Sequence, residues 1–274
     1  MEKEILASED EALIQKVTKI AHDAGEKLFR LFSPNSRPRD RSDLFQAGRR
    51  NEDSIADELK TALGALRPDA RFVSADLETV PLPPGEWWTV DSVEGNVNHV
   101  HGMPEWAVTI ALIRDGQPVL AVVRRPVGDQ TYTAIRGGGA FLNGRRLRVS
   151  QKTEMNAALV ETGQAEDGQT ETYRQITDSI FAMLQHALLV RVSVPSTFPM
   201  LLTAAGHIDL FWQYKPVLPG IAPGLLFVEE AGGRVSRIDG TVWKPGAEDI
   251  LVSAPGLYST AIEILKDESA KDRK

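Results

Sequence analysis

The chain has no cysteine. That removes disulfides, thiolate nucleophiles and Cys-ligated zinc, and leaves carboxylates, histidines, hydroxyls and arginines to carry any chemistry. Basic charge is not in excess either. The 31 Lys and Arg residues face 38 Asp and Glu, a formal net charge of −7, so no overall field draws the protein to nucleic acid or to an anionic membrane. No apolar run is long enough to span a bilayer, and the opening Met1-Glu2-Lys3-Glu4 lacks the apolar core of a signal peptide. The expectation is a cytoplasmic protein with no nucleic-acid or membrane partner.

At 274 residues, with 42% hydrophobic and 25% charged side chains, the chain has the make-up of a globular protein of one large domain or two closely packed halves. Ser8 and Glu11 form a capping-box pattern, after which Leu13, Val17, Ile20, Ala24, Leu28 and Leu31 recur at helical spacing up to Pro34. Residues 33–50, rich in arginine and proline, read as a mobile loop, and residues 53–66 as a second helix. Strands are expected at Arg71-Phe72-Val73 and Trp87–Val90. The apolar runs 107–113 and 118–123 flank Asp115-Gly116 and predict a hairpin. Gly137-Gly138-Gly139 reads as a structural turn, because no Lys-Ser or Lys-Thr follows it as in a phosphate loop. Beyond residue 150 strands and helices alternate: strands at 157–162, 188–192, 208–212 and 250–253, and helices near 170–187, 197–205, 225–231 and 257–265. The fold class is α/β, with an α+β half over 1–150 (two N-terminal helices and an antiparallel sheet), an α/β half over 151–274, and one composite site between them.

The segment Trp88-Thr89-Val90-Asp91-Ser92-Val93-Glu94-Gly95-Asn96-Val97-Asn98 carries the chemistry. A strand end runs into two carboxylates three residues apart, then a glycine and a helix start. Carboxylates there can hold a cation, and the unpaired N–H groups of the following turn favour an anion.

With Trp88–Leu112, Arg136–Gly144 and Glu229-Glu230-Ala231-Gly232-Gly233 in view, the chain resembles the inositol monophosphatase family over roughly residues 10–265. The resemblance implies a layered αβαβα sandwich and Mg²⁺-dependent hydrolysis of sugar, inositol or nucleotide phosphates. The family's Asp-Pro-(Ile/Leu)-Asp-Gly-Thr falls on Asp91-Ser92-Val93-Glu94-Gly95-Asn96, keeping the first aspartate and lengthening the second. Its metal-binding glutamate falls on Ala75, beside Asp76, and the aspartate of its Trp-Asp pair falls on Gly220. The Thr-x-x-Asp pattern falls on Arg49-Arg50-Asn51-Glu52, and Gln213 and Ser196 occupy substrate-holding positions.

These departures remove carboxylates that a two-metal site needs. The reading that follows is a metabolic enzyme with a remodelled site and no predicted cofactor. Asp91, Glu94, His99 and Glu52 would do metal-independent acid–base work (elimination, isomerisation or cyclisation). Arg49, Gly95, Asn96, Ser196 and Gln213 would hold a small anionic or phosphorylated metabolite. For His99, a ring packing in place of an aromatic side chain is the other role. One alternative is a Mg²⁺-dependent phosphomonoesterase using Asp91, Glu94 and Asp76 as metal ligands. A second is a non-catalytic binding protein. Family members often form dimers, which leaves a homodimer open.

Overall fold

The computed structural model describes residues 2–164 and 167–271. Three helices come first: α1 (Glu2–Leu31), α2 (Arg41–Asp53) and α3 (Ala56–Leu66). The strands β1 (Arg71–Phe72), β2 (Glu86–Glu94), β3 (Ala107–Arg114), β4 (Gln117–Arg125), β5 (Gln130–Ile135), β6 (Gly139–Leu142) and β7 (Arg145–Arg146) follow, with the short α4 (Asn96–Val100) between β2 and β3. They form one sheet in sequence order, antiparallel except for β1 beside β2. The remaining chain gives β8 (Leu159–Thr162), α5 (Thr170–Leu184), β9 (Leu189–Val192), α6 (Thr197–Ala204), β10 (Leu210–Tyr214), α7 (Leu218–Glu230), β11 (Arg234–Ser236), β12 (Asp249–Ser253) and α8 (Tyr258–Lys271). Its sheet has the order β11-β12-β10-β8-β9, in which β8, β9 and β10 run parallel.

Side-chain period fixes the layers. On α1, Leu13, Val17, Ala21, Ala24 and Leu28 form one buried stripe. With Leu59 and Leu63 of α3, the stripe covers the face of the first sheet that carries Val108, Ile110 and Leu112. The alternate residues Ala107, Ala111 and Ile113 face the other way, onto Phe198 and Leu201 of α6 and Leu225 and Phe227 of α7. Burial on both faces is why β3 reads as a nearly unbroken apolar run. Phe211 and Val252 of the second sheet close the central layer from its far side. Trp212 and Leu251 point outward to Ile176 of α5 and Ala261 of α8. The result is the expected αβαβα sandwich. Among the described residues, no helix is long and apolar enough to cross a membrane.

The structure corrects several local expectations. Residues 41–50 are helical, so three helices precede the first sheet instead of two. Asp40 caps α2 by accepting a hydrogen bond from the Asp43 N–H at 2.9 Å, and the arginines of the segment lie on its exposed side. Helix α1 starts before Ser8, so the capping box is inside a helix. Strand β5 was not anticipated. The Asp115-Gly116 turn has positive φ at both residues (49° and 78°), as a two-residue hairpin requires. The triple glycine is the structural turn expected: Gly137 and Gly139 donate N–H bonds of 2.7 and 2.8 Å to the Glu230 carboxylate, so the anion they hold belongs to the protein.

Because α2 has little apolar surface, its cap matters. Asp40→Ala is expected to cost about 1 kcal/mol and to speed amide exchange across 41–53, read by hydrogen-exchange mass spectrometry with α1 as the internal control.

Candidate functional site

Residues three apart on a regular strand point to opposite faces. In β2 they do not, because Asp91 pairs with Thr109 and Glu94 with Ala107, so two residues of β2 oppose one of β3. This bulge brings both carboxylates to the face that Ala107 shares with the central helices. Asp91 also shapes the bulge, since its Oδ1 accepts the Val93 N–H at 2.9 Å. Gly95 then turns the chain at φ 80°. A Cβ there would stand 2.5 Å from the Glu105 carbonyl oxygen and 3.0 Å from the Pro195 ring, so a side chain is excluded by both conformation and space.

Glu94 is 5% exposed. It reaches across the central layer, where the N–H of Thr197, the first residue of α6, donates to its Oε1 at 3.3 Å. The Thr197 hydroxyl donates in turn to the Gly220 carbonyl at 2.8 Å. Glu94 also lies beside Gly220: a Cβ on that residue would be 3.8 Å from its Oε1, in ordinary van der Waals contact. Burial pushes the Glu94 carboxyl well above the ordinary carboxylate range, and the neighbouring Asp91 charge and a hydrogen bond with Asp91 push it further. Burial also raises Asp91, opposed by the hydrogen bond with Glu94 and by the Val93 N–H. Both shifts run the same way, so the pair holds on to a proton past the pH at which an ordinary carboxyl loses it.

The remaining expected residues divide into several groups. Asn96 is tied to α2 through both ends of its amide: Oδ1 accepts from Asn51 at 2.8 Å, and Nδ2 donates to the Gly48 carbonyl and to Glu52 Oε1, each at 2.9 Å. Glu52, itself exposed, is thus brought to Asn96. His99, 3% exposed, has the packing role. Its Nε2 donates to the Leu28 carbonyl at 3.2 Å, its Nδ1 accepts from Asn51 at 3.0 Å, and its ring meets Trp106 and Phe32 edge-on. Burial lowers its pKa, opposed by the bond to Leu28. A neutral ring with both nitrogens engaged does not carry protons for the acidic pair. Arg49 lies exposed on α2. Asp76 lies exposed in a short turn, where its Oδ1 accepts the Ser74 hydroxyl at 2.6 Å. Ser196 precedes α6 without a side-chain capping bond. Gln213 is buried, and its Oε1 has no hydrogen-bond partner.

Sequence reasoning missed the residues that hold this frame. Thr197 supports Glu94. Asn98 ties the turn after β2 to the loop before α6 by donating to the Glu105 and Val194 carbonyls at 2.8 and 3.0 Å. Asn51 joins α2 to Asn96 and His99. A polar side chain buried next to an acidic motif was the only available signal.

Among the described residues, no group of three or more His, Asp or Glu side chains converges to hold a metal ion. Asp91 and Glu94 are a two-carboxylate donor set, which fits one magnesium whose shell is completed by waters and substrate oxygens. Ala75 and Gly220 add no donor side chain for a second.

The same fold is found in the inositol monophosphatase of Anabaena (Nostoc) sp. PCC 7120. That structure superposes with a TM-score of 0.81 at 22% identity, covering 94% of this chain and 96% of the other. Residues 9–270 match the inositol monophosphatase family, and the chain belongs to that family. It is 36% identical over 198 residues to an inositol-1-monophosphatase of Rhizobium meliloti, 72% of this chain and 73% of the relative. It is also 36% identical over 155 residues to the Nus factor SuhB of Pseudomonas aeruginosa, 56% of this chain and 57% of the relative.

The shared proton gives stability a pH dependence of definite sign. Below the unfolded carboxylate pKa, both states are protonated and Glu94 contributes nothing. Above it the unfolded chain releases a proton that the folded chain keeps, so stability falls as pH rises until the raised folded value is passed. Without added metal, Glu94→Gln is therefore expected to melt higher than wild type near neutral pH and to lose less between about pH 5 and pH 8. Parallel melting curves for the two proteins across that range would contradict the shared proton.

Proposed function

We propose that the chain is a phosphomonoesterase acting on a sugar, inositol or nucleotide phosphate in the cleft where Asp91 and Glu94 meet α6 and α7. The carboxylate pair on one face of the β2 end, Glu94 buried and Asp91 half-buried, carries this reading, and the kinship with an inositol-1-monophosphatase over nearly three quarters of the chain supports it. Asp91 and Glu94 would hold a single divalent cation, displacing the proton they share. When bound, that cation supplies Lewis-acid polarisation and neutralises charge on the phosphoryl group. The chain's own contribution is orientation. The Thr197 N–H fixes one Glu94 oxygen, the Val93 N–H fixes one Asp91 oxygen, and the turn at Gly95 sets both against the start of α4.

The lengthened Glu94 brings its carboxyl next to Gly220, within 3.8 Å of where a Cβ on that residue would stand. This supports a family site reduced to one cation. A second reading, metal-free acid–base chemistry on an anionic metabolite, is favoured by the proton on Glu94: the pair then offers an acid at Glu94 and a base at Asp91. The named relatives weigh for the phosphomonoesterase.

Phosphate release from a panel of sugar, inositol and nucleotide monophosphates, with Mg²⁺ titrated and then chelated, separates the two. The expected outcome is release that saturates with Mg²⁺, vanishes on chelation and drops about 10²-fold or more in Asp91→Asn. Turnover that persists under chelation, releases no phosphate and is lost in Glu94→Gln would transfer the assignment to the second reading.

A further inference from the structure

Two threonines of the first sheet are buried next to the acidic pair with hydroxyls that bond to nothing. Thr109 of β3 directly opposes Asp91 of β2 in the last regular row before the bulge, and Thr89 opposes Ala111 two rows further from the site. Both are 1% exposed, and neither Oγ1 has a hydrogen-bond partner. The period of two puts Thr109 on the face of Ala107 and Ala111, and Thr89 on the face of Trp87, which is the face covered by the central helices. Asp91 and Glu94 point to that same face.

A buried hydroxyl without a partner costs stability, and the neighbours of Thr109 show what it can reach. The central helices present Phe198, Leu201, Leu225 and Phe227 to this sheet, side chains that accept no hydrogen bond. Directly opposed side chains of an antiparallel pair have Cβ atoms about 4.5–5.5 Å apart, a gap that one hydroxyl-to-carboxylate bond spans. Asp91 has lone pairs to offer: apart from its contact with Glu94, its carboxyl accepts only the Val93 N–H. Thr89 faces the methyl group of Ala111 instead of a carboxyl group.

We propose that Thr109 is a positioning residue for the cation-binding carboxylates: with a divalent cation held by Asp91 and Glu94, the Thr109 hydroxyl donates to the Asp91 carboxylate. The inference rests on the phosphomonoesterase reading, which supplies the cation, and deepens it. The hydroxyl adds a second donor to the Val93 N–H and so restricts how the Asp91 carboxylate rotates. Donors of this kind orient a ligating carboxylate and set its affinity for the metal. The same hydroxyl is then a cost in the empty protein and a gain in the loaded one. A threonine kept for its branched shape alone would lose nothing to valine in either state.

The test compares Thr109→Val, Thr109→Ser and Thr89→Val with wild type by thermal melting under chelation and by calorimetric titration with Mg²⁺, with phosphate release from the ester panel followed in parallel. Both valine variants are expected to melt higher than wild type without metal, by about 2 °C or more, because each loses an unmet hydroxyl. Only Thr109→Val should bind Mg²⁺ more weakly, by about tenfold or more, while Thr109→Ser keeps the donor and stays close to wild type. Equal Mg²⁺ affinity in Thr109→Val and wild type, an equal loss in Thr89→Val, a loss in Thr109→Ser as large as in Thr109→Val, or a wild type that binds no Mg²⁺ would overturn the positioning role. So would a Thr109→Val protein that melts lower without metal. Mg²⁺ binding that depends on the Thr109 hydroxyl without phosphate release from any ester would retain the positioning role and remove the phosphatase reading. If Thr109→Val does not fold, Thr109→Ala set against Thr109→Ser puts the same question, with the same Mg²⁺ outcomes deciding.

Discussion

Two carboxyl groups on one face of one strand end constitute the interaction around which the rest of the molecule is arranged. Burial and the neighbouring charge disfavour ionising both, so the pair calls for a proton on one of them or a cation beside them. Everything that keeps Asp91 and Glu94 together, from the bulge in β2 to the Thr197 N–H, therefore keeps a site that demands a positive partner. Such a demand costs stability in the empty protein and is useful where the partner is a metal ion, a substrate cation or a transferable proton.

The frame is built from three directions. The sheet supplies rigid backbone for Asp91. Helix α6 and the Gly220 turn of α7 receive Glu94. Helix α2 closes the third side through Asn51 and Glu52, which hold Asn96 and His99 and through them the turn at Gly95. The polar contacts between α2 and α4 are mostly amide to amide or amide to imidazole, groups that can be buried without leaving a net charge. That choice lets the clamp sit beside the acidic pair without altering its charge balance.

What the sequence made legible follows from periodicity. The α1 stripe, the β3–β4 hairpin and the helices of the second half repeat apolar residues at 3.6 or 2 and were readable. Helix α2 was not, because Leu44 and Phe45 are nearly its only large apolar residues and its start depends on the Asp40 cap. Strand β5 was missed although Thr131, Tyr132, Thr133 and Ala134 alternate polar with apolar as their burial does, because that alternation spans only a few residues between two turns. At the site the acidic motif was plain, but its geometry was not. Asp91 and Glu94 share a face only because Val108 alone opposes two residues of β2, a register that no single strand reports. His99 looked like a proton carrier by spacing, and its neighbours on α1 and α2 made it a packed ring.

Glu94 and Gly220 show how the departures from the family pattern fit together. Taken singly, lengthening an aspartate to glutamate misplaces a ligand, and replacing an aspartate by glycine deletes one. Taken together they would move one carboxyl group about the length of a bond toward α7, where both its oxygens lie within 4 Å of a Cβ placed on Gly220. The Thr197 N–H then holds it there. Under the phosphomonoesterase reading proposed above, a fixed N–H therefore orients one carboxyl group where β2 meets α6 and α7, and that group and Asp91 together call for one positive partner.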